Sequence, residues 1–226
     1  PVNLIKGNGC MLYDDNDNEY IDFASGIGVN SLGYCNSEWT KAISNSACNL
    51  QHISNIFLNE STLKLADKIT NLSEMSKVFF CNSGAEANEG AIKLARKYSF
   101  DKYGANRNKI LTLRQSFHGR TLATLTATGQ DKFHNYFFPF PDGFDYFKAN
   151  DIDHFIDKLS NDVCAVMMEA IQGEGGVYPL DHEFVKEVYK ICKERDILLI
   201  FDEVQCGIGR TGKLFGFQHF DINPDI

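Results

Sequence analysis

Short runs of almost entirely apolar residues constrain the fold of this chain more than any other feature. They occupy residues 77–81 (KVFFC), 109–113 (KILTL), 163–168 (VCAVMM) and 197–201 (ILLIF). Apolar runs of this length, without alternation, are typical of strands that are buried on both faces of a sheet. We therefore expect these four segments to be strands of one buried, mostly parallel sheet.

Helical patterns separate these predicted strands. Apolar residues recur at helical spacing in 61–72, in 85–99 and in a segment that begins near Asp181. In 85–99, the face expected to be buried consists of Ala87, Ala91, Leu94, Ala95 and Tyr98. Strands that alternate with helices predict βαβ units, and hence an α/β fold with helices on both faces of the sheet.

The beginning of the chain has a different character. Residues 9–14 and 19–23 are predicted to be two short strands, and the Asp/Asn cluster at 15–18 is predicted to be the turn between them. We therefore divide the chain into a β-rich segment, 1–50, and an α/β segment, 51–226.

Composition excludes several classes of function. The net charge is −8 and no basic block occurs, so we expect no nucleic-acid partner. No apolar run approaches the roughly 20 residues of a membrane span, so no membrane partner is expected either. The seven cysteines are scattered without a C-x-x-C pair, which argues against a zinc site and favours a reducing, cytoplasmic location.

Ligands of parallel sheets bind at the carboxyl ends of the strands, so the segments after the predicted strands are candidate site positions. After 77–81, the chain runs through Ser83 and Gly84 directly into a helix. The N-terminus of such a helix suits a phosphate, although a capped helix without any ligand explains the same residues equally well. After 109–113, Phe117 offers an aromatic face, and Arg120 offers a guanidinium that can bind a carboxylate through two hydrogen bonds. This signal is weak by itself.

Acidic residues follow the last two predicted strands. Glu169 and Glu174 lie in a Gly-rich loop, where they fit a glycosidase-like acid/base pair, a pair of substrate anchors or a solvated loop. Asp202 ends an apolar strand, where burial of its charge is costly unless a cationic partner lies nearby. By alternation, Val204 shares the face of Asp202, and Glu203 points the other way.

A literal G-x-G-x-x-G at residues 207–212 raises a dinucleotide-binding alternative, in which the protein is an NAD(P)-dependent dehydrogenase. This fingerprint should open an amphipathic helix, but Gly and aromatic residues follow it at 213–218. The dinucleotide-binding alternative is therefore the weaker one.

A helix N-terminus that can bind a phosphate, an aromatic ring surface, a buried acid and a nearby Gln are together what pyridoxal phosphate requires.

Motifs along essentially the whole chain are similar to those of the class-III, fold-type-I aminotransferases, which use pyridoxal phosphate. The matching segments are SGIGVNSLG (25–33), HISNIF (52–57), NSGAEANEGAIKLAR (82–96), SFHGRT (116–121), ATGQ (127–130), IQGEGGV (171–177) and DEVQCGIGRTGKLFGFQHF (202–220). The resemblance implies that 1–50 belongs to the small domain of such an enzyme. It also implies that 51–226 is an incomplete cofactor-binding large domain.

The resemblance also implies roles for the residues that would hold the cofactor. Ser83, Gly84 and Ala85 would bind its phosphate. Phe117 and Val204 would cover the two faces of its ring.

Further roles follow from the same resemblance. Asp202 would pair with the pyridinium nitrogen, Gln205 would donate to the phenolic oxygen, and Glu169 would support Gln205. Arg120 would bind the substrate α-carboxylate, and Glu174 would lie near the substrate amine. We expect Asp202 and Glu169 to be the catalytic residues within these 226 positions, together with a cofactor-linked lysine that lies beyond Ile226 in the family pattern. Residues 1–226 by themselves are therefore expected not to transaminate at a useful rate.

The activity implied by the resemblance is amino transfer from the terminal amine of N-acetylornithine to 2-oxoglutarate, by a homodimer. Ornithine, succinylornithine and 4-aminobutyrate are alternative substrates within the same family. A non-catalytic relative of the fold is an alternative outside it.

Overall fold

The computed structural model describes residues 1–226, which form two compact units, Pro1–Lys68 and Ile69–Ile226. The first unit contains a three-stranded antiparallel sheet of β1 (Leu4–Asn8), β2 (Met11–Asp14) and β3 (Glu19–Ile21). Its helices are the single turn α1 (Ser25–Gly28), α2 (Ser37–Asn49) and the start of α3 (Glu60–Ser73). The boundary at residue 50 that the sequence predicts stays a prediction.

The turn predicted at 15–18 is organised by the carboxylate of Asp14. Its Oδ1 atom accepts hydrogen bonds from the backbone N–H groups of Asn16 and Asn18, both at 2.9 Å. Its Oδ2 atom accepts from Tyr20 Oη at 2.9 Å. These bonds close the hairpin between β2 and β3, which confirms the predicted strand–turn–strand pattern.

The second unit is built on a four-stranded parallel sheet. Its strands are β4 (Lys109–Leu113), β5 (Phe144–Phe147), β6 (Val163–Met168) and β9 (Leu198–Phe201), in the spatial order β5-β4-β6-β9. Two short strands, β7 (Ile171–Gln172) and β8 (Tyr178–Pro179), form a separate antiparallel pair. Every residue of β6 is buried, as its unbroken apolar sequence predicts.

Helices cover both faces of this sheet, which confirms the predicted fold class. They are α4 (Gly84–Tyr103), α5 (Leu122–Ala127), α6 (Ile152–Lys158) and α7 (His182–Glu194), with 3-10 turns at Asp131–Phe133 and Gly216–His219. α4 packs with Ala165 and Met167 of β6, whereas α6 and α7 pack with Val166 and Met168. Because successive side chains of a strand point to opposite faces, these helices lie on opposite sides of the sheet. None of the helices combines the length and apolar character that a membrane crossing needs.

Two local predictions were wrong. Residues 77–81 belong to no strand, and Phe79 is 75% exposed. An apolar run indicates a tendency to be buried, but a strand also needs a neighbouring backbone to pair with, and no strand pairs with this segment.

In α4 the buried stripe is Asn88, Ala91, Ile92, Ala95 and Ser99. The expected face was shifted because polar residues occupy two inward positions, where their side chains hydrogen-bond to residues outside the helix.

Candidate active site at the carboxyl edge of the sheet

A cleft of about 290 Å³ lies at the carboxyl ends of β4, β6 and β9. Its lining comes from the start of α4 and from the segments that follow these three strands: Gly84, Ala85, Asn88, Phe117, His118, Gly119, Arg120, Glu169, Asp202, Val204 and Gln205. The sequence predicted eight of these residues as site residues. Of the other predicted site residues, Ser83 caps α4 and Glu174 hydrogen-bonds to Gln205.

The N-terminus of α4 forms one wall of the cleft. The Ser83 hydroxyl accepts a hydrogen bond from the Glu86 N–H at 3.2 Å and so caps the helix. The N–H groups of Gly84 and Ala85, in the first turn, have no carbonyl partner within the helix, and the positive end of the helix dipole lies beside them. The arrangement suits an anionic group such as a phosphate.

Close packing at Gly84 brings α4 against the segment after β9. A Cβ atom at this position would lie 2.8 Å from Cγ2 and 2.9 Å from Cγ1 of Val204. Any larger residue must displace the Val204 side chain, which is 61% exposed and faces the cleft.

Asp202 is the most strongly anchored carboxylate of the cleft. It is only 5% exposed. Its Oδ2 atom lies 2.8 Å from both Asn88 Nδ2 and His118 Nδ1, and its Oδ1 atom accepts from the Val204 N–H at 3.0 Å. No Lys or Arg forms an ion pair with it, so His118 is the partner that the buried charge was predicted to need.

Sequence reasoning assigned no role to His118 and Asn88. The His118 ring is completely buried, and its Nε2 atom has no hydrogen-bond partner. Burial lowers the pKa of His118, but its hydrogen bond to Asp202 and the charges of Asp202 and Glu169 outweigh that effect, so the net pKa is raised. The signal that was available is the position of His118 within SFHGRT, directly after Phe117.

Glu169 is buried at the base of the cleft, where its Oε1 atom accepts a hydrogen bond from the Phe117 N–H at 2.9 Å. Gln205, its expected partner, instead donates to Glu174 Oε1 at 3.0 Å. Burial raises the pKa of Glu169 to about 7, although the positive charge of His118 and the Phe117 N–H act in the opposite direction. The side chain therefore exchanges a proton near neutral pH.

Replacing Glu169 with Gln is expected to stabilise the protein at pH 8 by on the order of 2 kcal/mol, with little effect at pH 4.5. The folded-state pKa is raised from 4.5 to about 7, so the folded state binds more protons than the unfolded chain within this window. The contribution of Glu169 to the free energy of unfolding is therefore fully present below pH 4.5 and is lost as the pH rises through 7. Urea denaturation at both pH values measures the difference; an equal effect at both would contradict this account.

Apolar side chains form the remaining surfaces of the cleft. The half-buried Phe117 ring is held by an edge-to-face contact with Phe133, with ring centroids 5.7 Å apart. The guanidinium of Arg120 lies 5.7 Å from the centroid of the Phe117 ring and is exposed at the cleft mouth. The cleft thus combines an aromatic surface, an aliphatic surface and one exposed cation.

The dinucleotide alternative fails on local structure. Residues 207–212 form turns, and the next helical element is the 3-10 turn at Gly216–His219 rather than an α-helix. Glu203 points away from the cleft, as alternation predicted, and accepts from the N–H groups of Gly216 and Phe217 at 2.7 and 2.8 Å. The segment is therefore a structural loop without the helix N-terminus that a pyrophosphate needs.

A larger cavity, of about 780 Å³, lies at the opposite, amino-terminal edge of the sheet. The Arg107 guanidinium that lines it donates to the backbone carbonyls of Val163, Arg195 and Asp196. The Arg107 side chain thus stabilises the surrounding loops. In parallel sheets ligands bind at the carboxyl ends of the strands, so this cavity, at the amino ends, is not the candidate site.

Comparison with known proteins identifies the class of protein to which this site belongs. The aminotransferase class-III family matches residues 1–226, and the chain belongs to that family, whose members are pyridoxal-phosphate enzymes. The chain is 54% identical over 226 residues to the acetylornithine aminotransferase of Caldanaerobacter subterraneus subsp. tengcongensis. It is 46% identical over 226 residues to that of Methanocaldococcus jannaschii. The alignments include all of this chain but 58% and 57% of these relatives.

Solved structures agree with this relationship. The ornithine aminotransferase of Toxoplasma gondii superimposes with a TM-score of 0.95 at 32% identity, over 100% of this chain and 54% of that one. The N-acetylornithine aminotransferase of Stenotrophomonas maltophilia K279a gives 0.85 at 39% identity, over 99% and 56%. The chain therefore has the fold of these enzymes and spans a little over half their length.

Proposed function

We propose that the complete protein is a pyridoxal-phosphate-dependent aminotransferase that moves the terminal amino group of N-acetylornithine to 2-oxoglutarate, in arginine biosynthesis. The observation that carries this proposal is the buried, ionisable Asp202 at the base of a cleft whose rim is a helix N-terminus. The acetylornithine aminotransferases at 46–54% identity support the choice of substrate.

The residues of the cleft fit the cofactor. The first-turn N–H groups of α4 would hold its phosphate, and Phe117 and Val204 would cover its ring. The Asp202 carboxylate would pair with the ring nitrogen and favour its protonated form. When bound, pyridoxal phosphate supplies an electron sink next to the amino carbon of the substrate.

Other side chains would orient the reactants. The Gln205 amide, which lines the cleft and donates to Glu174, would donate to the phenolic oxygen of the cofactor. The exposed guanidinium of Arg120 would bind the substrate α-carboxylate in a bidentate manner. Glu174, which accepts a hydrogen bond from Gln205, would attract the substrate amine. In this scheme Glu169 acts indirectly, since its carboxyl holds the Phe117 backbone in place.

The test uses the complete polypeptide with added pyridoxal phosphate. We expect a visible absorbance band and glutamate formation from N-acetylornithine and 2-oxoglutarate. Ornithine, N-succinylornithine and 4-aminobutyrate are compared as amino donors at equal concentration. Absence of cofactor binding would rule out the proposal, whereas a higher kcat/KM for another donor would change only the substrate.

Replacing Gly84 with Ala is expected to weaken pyridoxal-phosphate binding by about tenfold with little loss of stability. The new methyl group overlaps Val204, and this exposed side chain can move only at the expense of the cleft. Fluorescence titration gives the Kd and thermal denaturation the Tm. Gly90→Ala, in the same helix, is the matched control, because its Cβ would lie 3.5 Å from the nearest Phe79 atom. Equal Kd values for the two variants would contradict the prediction.

We also propose that the complete protein is a cytoplasmic homodimer, as the family resemblance implies. Highly exposed aromatic side chains at Tyr136, Phe137 and Phe138 support an interface, since they follow Phe133, which packs against Phe117. Light scattering coupled to size-exclusion chromatography gives the mass directly. A monomer at micromolar concentration would exclude this assembly.

A further inference from the structure

The carboxylate of Glu89 in α4 is directed at another segment of the chain rather than along its own helix. Lys93, one helical turn further on, is in position for an ion pair, yet the Glu89 carboxylate forms none. Instead its Oε1 atom accepts a hydrogen bond from the Thr121 hydroxyl, 32 residues away in the sequence. This bond connects the second turn of α4 to the segment after β4, which carries Arg120.

The hydrogen bonds around Thr121 have a fixed direction. An ionised carboxylate only accepts, so the Thr121 hydroxyl donates to Glu89. The Thr121 Oγ1 atom can then accept from the buried Thr124 hydroxyl at 2.7 Å, and Thr124 Oγ1 accepts from the Thr121 N–H at 3.1 Å. Both the side chain and the backbone of Thr121 are therefore held in place, although the residue lies at the surface.

The residue before Arg120 also packs against α4. A Cβ atom at Gly119 would lie 2.9 Å from Ala85 Cβ, so glycine allows the chain to approach the helix this closely. Ala85 and Glu89 are one turn apart and lie on the same face of α4. Gly119 and Thr121, the two neighbours of Arg120 in the chain, therefore contact one face of one helix.

The Arg120 side chain is left free for a ligand. It is exposed, and its guanidinium carbon lies 5.7 Å from the centroid of the Phe117 ring, without an ion pair in the protein. A long, unpaired side chain has many rotamers, so the placement of its backbone determines which part of the cleft the guanidinium reaches. The first turn of α4 is the proposed phosphate wall. One helix thus sets the distance between the cofactor phosphate and the residue that would bind the carboxylate.

We propose that Glu89 and Thr121 are positioning residues for substrate binding: their hydrogen bond holds the backbone of Arg120 so that its guanidinium meets the substrate α-carboxylate. The proposal rests on the proposed function, because it presupposes that Arg120 binds that carboxylate. Glu89 and Thr121 touch neither substrate nor cofactor in this scheme. They act only through Arg120.

Paired substitutions at Thr121 separate positioning from packing. Thr121→Val removes the donor and keeps the shape, whereas Thr121→Ser keeps the donor. In Thr121→Val, we expect KM for 2-oxoglutarate to rise about fivefold or more and kcat to stay within about twofold, because binding that is equal in ground and transition states affects KM alone. Thr121→Ser should resemble the wild type. Thr126→Val is the matched control, since that hydroxyl bonds only to the Leu122 carbonyl within α5.

A substrate without an α-carboxylate shows whether the effect passes through Arg120. N-acetylputrescine is N-acetylornithine without that carboxylate, and it keeps the amine that is transferred. We expect Thr121→Val to leave kcat/KM for this analogue at the wild-type value. The same substitution should also cause no further loss in an Arg120→Gln background, because the group that it positions is gone. A merely structural weakening of α5 would lower activity with both donors and in both backgrounds.

Glutarate gives a readout that needs no turnover, because it has both carboxylates of 2-oxoglutarate but no reactive oxo group. Its Kd for the cofactor-loaded complete protein, measured by calorimetry, should rise about fivefold or more in Thr121→Val and in Glu89→Leu. Thr121→Ser keeps the donor and Glu89→Gln keeps an acceptor oxygen, so their Kd values should stay close to the wild-type value. The Kd for pyridoxal phosphate should change little in all four variants.

The outcomes are distinct. Failure of the wild type to bind pyridoxal phosphate or to form glutamate defeats the proposed function itself. In an active protein, an Arg120→Gln variant that binds glutarate like the wild type would place the carboxylate elsewhere and overturn the proposal. An unchanged Kd in Thr121→Val, or equal losses in Thr121→Val and Thr121→Ser, would also overturn it. Should Thr121→Val not fold, the pair Glu89→Leu and Glu89→Gln decides by the same comparison.

Discussion

Replacing Asp202 with Asn is expected to lower kcat/KM for amino transfer by about 100-fold or more, or ~2.7 kcal/mol of transition-state stabilisation. The substitution keeps the shape of the side chain but removes the negative charge that would favour a protonated ring nitrogen. An Asn oxygen can still accept from Asn88 and His118, whereas its amide group would face the Val204 N–H and lose that bond. We therefore expect a folded protein with a small change in Tm and a large loss of activity.

The control for this experiment is Asp221→Asn. Asp221 is exposed, lies 4.0 Å from Lys186, and has a positive φ of 53° that Asn tolerates well. The Asp221→Asn substitution should leave both kcat/KM and Tm close to the wild-type values. If Asp202→Asn loses activity only in proportion to a loss of folded protein, the carboxylate is structural and its assignment as partner of the ring nitrogen is wrong.

The location of the site could be predicted because the sequence marks the ends of strands. Each apolar run that became β4, β6 or β9 ends where a polar or flexible segment begins, and parallel strands bring those ends to one edge. Phe117, Glu169 and Asp202, far apart in sequence, were placed together by this rule alone. The burial of Asp202 and its need for a positive partner also followed from its position after five apolar residues, 197–201.

The partners within the site could not be predicted in the same way. Asn88 reaches Asp202 across 114 residues of sequence and His118 across 84, and such contacts have no local pattern. Apolar periodicity placed Leu94 in the interior and overlooked Asn88, because it counts hydrophobic residues and does not register a buried polar residue that finds its hydrogen bonds elsewhere. The pairing of Gln205 with Glu169 came from the family resemblance, whereas in this structure Gln205 donates to Glu174.

Replacing Gly129 with Ala is expected to destabilise the second unit by about 3 kcal/mol or more. A Cβ atom at Gly129 would lie 2.1 Å from the carbonyl oxygen of Leu113 and 2.9 Å from Cα of Arg114. Both are backbone atoms at the end of β4, so no side-chain rotation relieves the overlap. Gly129 also accepts a hydrogen bond from the Gln115 N–H at 2.8 Å and donates to Ser116 Oγ at 3.0 Å. The strain would therefore spread into the segment that carries Phe117.

The free energy of unfolding, measured by urea denaturation, and the Kd for pyridoxal phosphate should both change in Gly129→Ala. One backbone contact supports both the sheet edge and the aromatic surface of the cleft. Gly90→Ala again serves as the control, because Ala is a better helix former than Gly by roughly 1 kcal/mol and its added methyl group fits. That variant should be as stable as the wild type or more so. A Gly129→Ala protein that unfolds like the wild type would mean that the end of β4 can move away from residue 129. The cleft would then depend on the network of Asn88, His118 and Asp202 for its geometry.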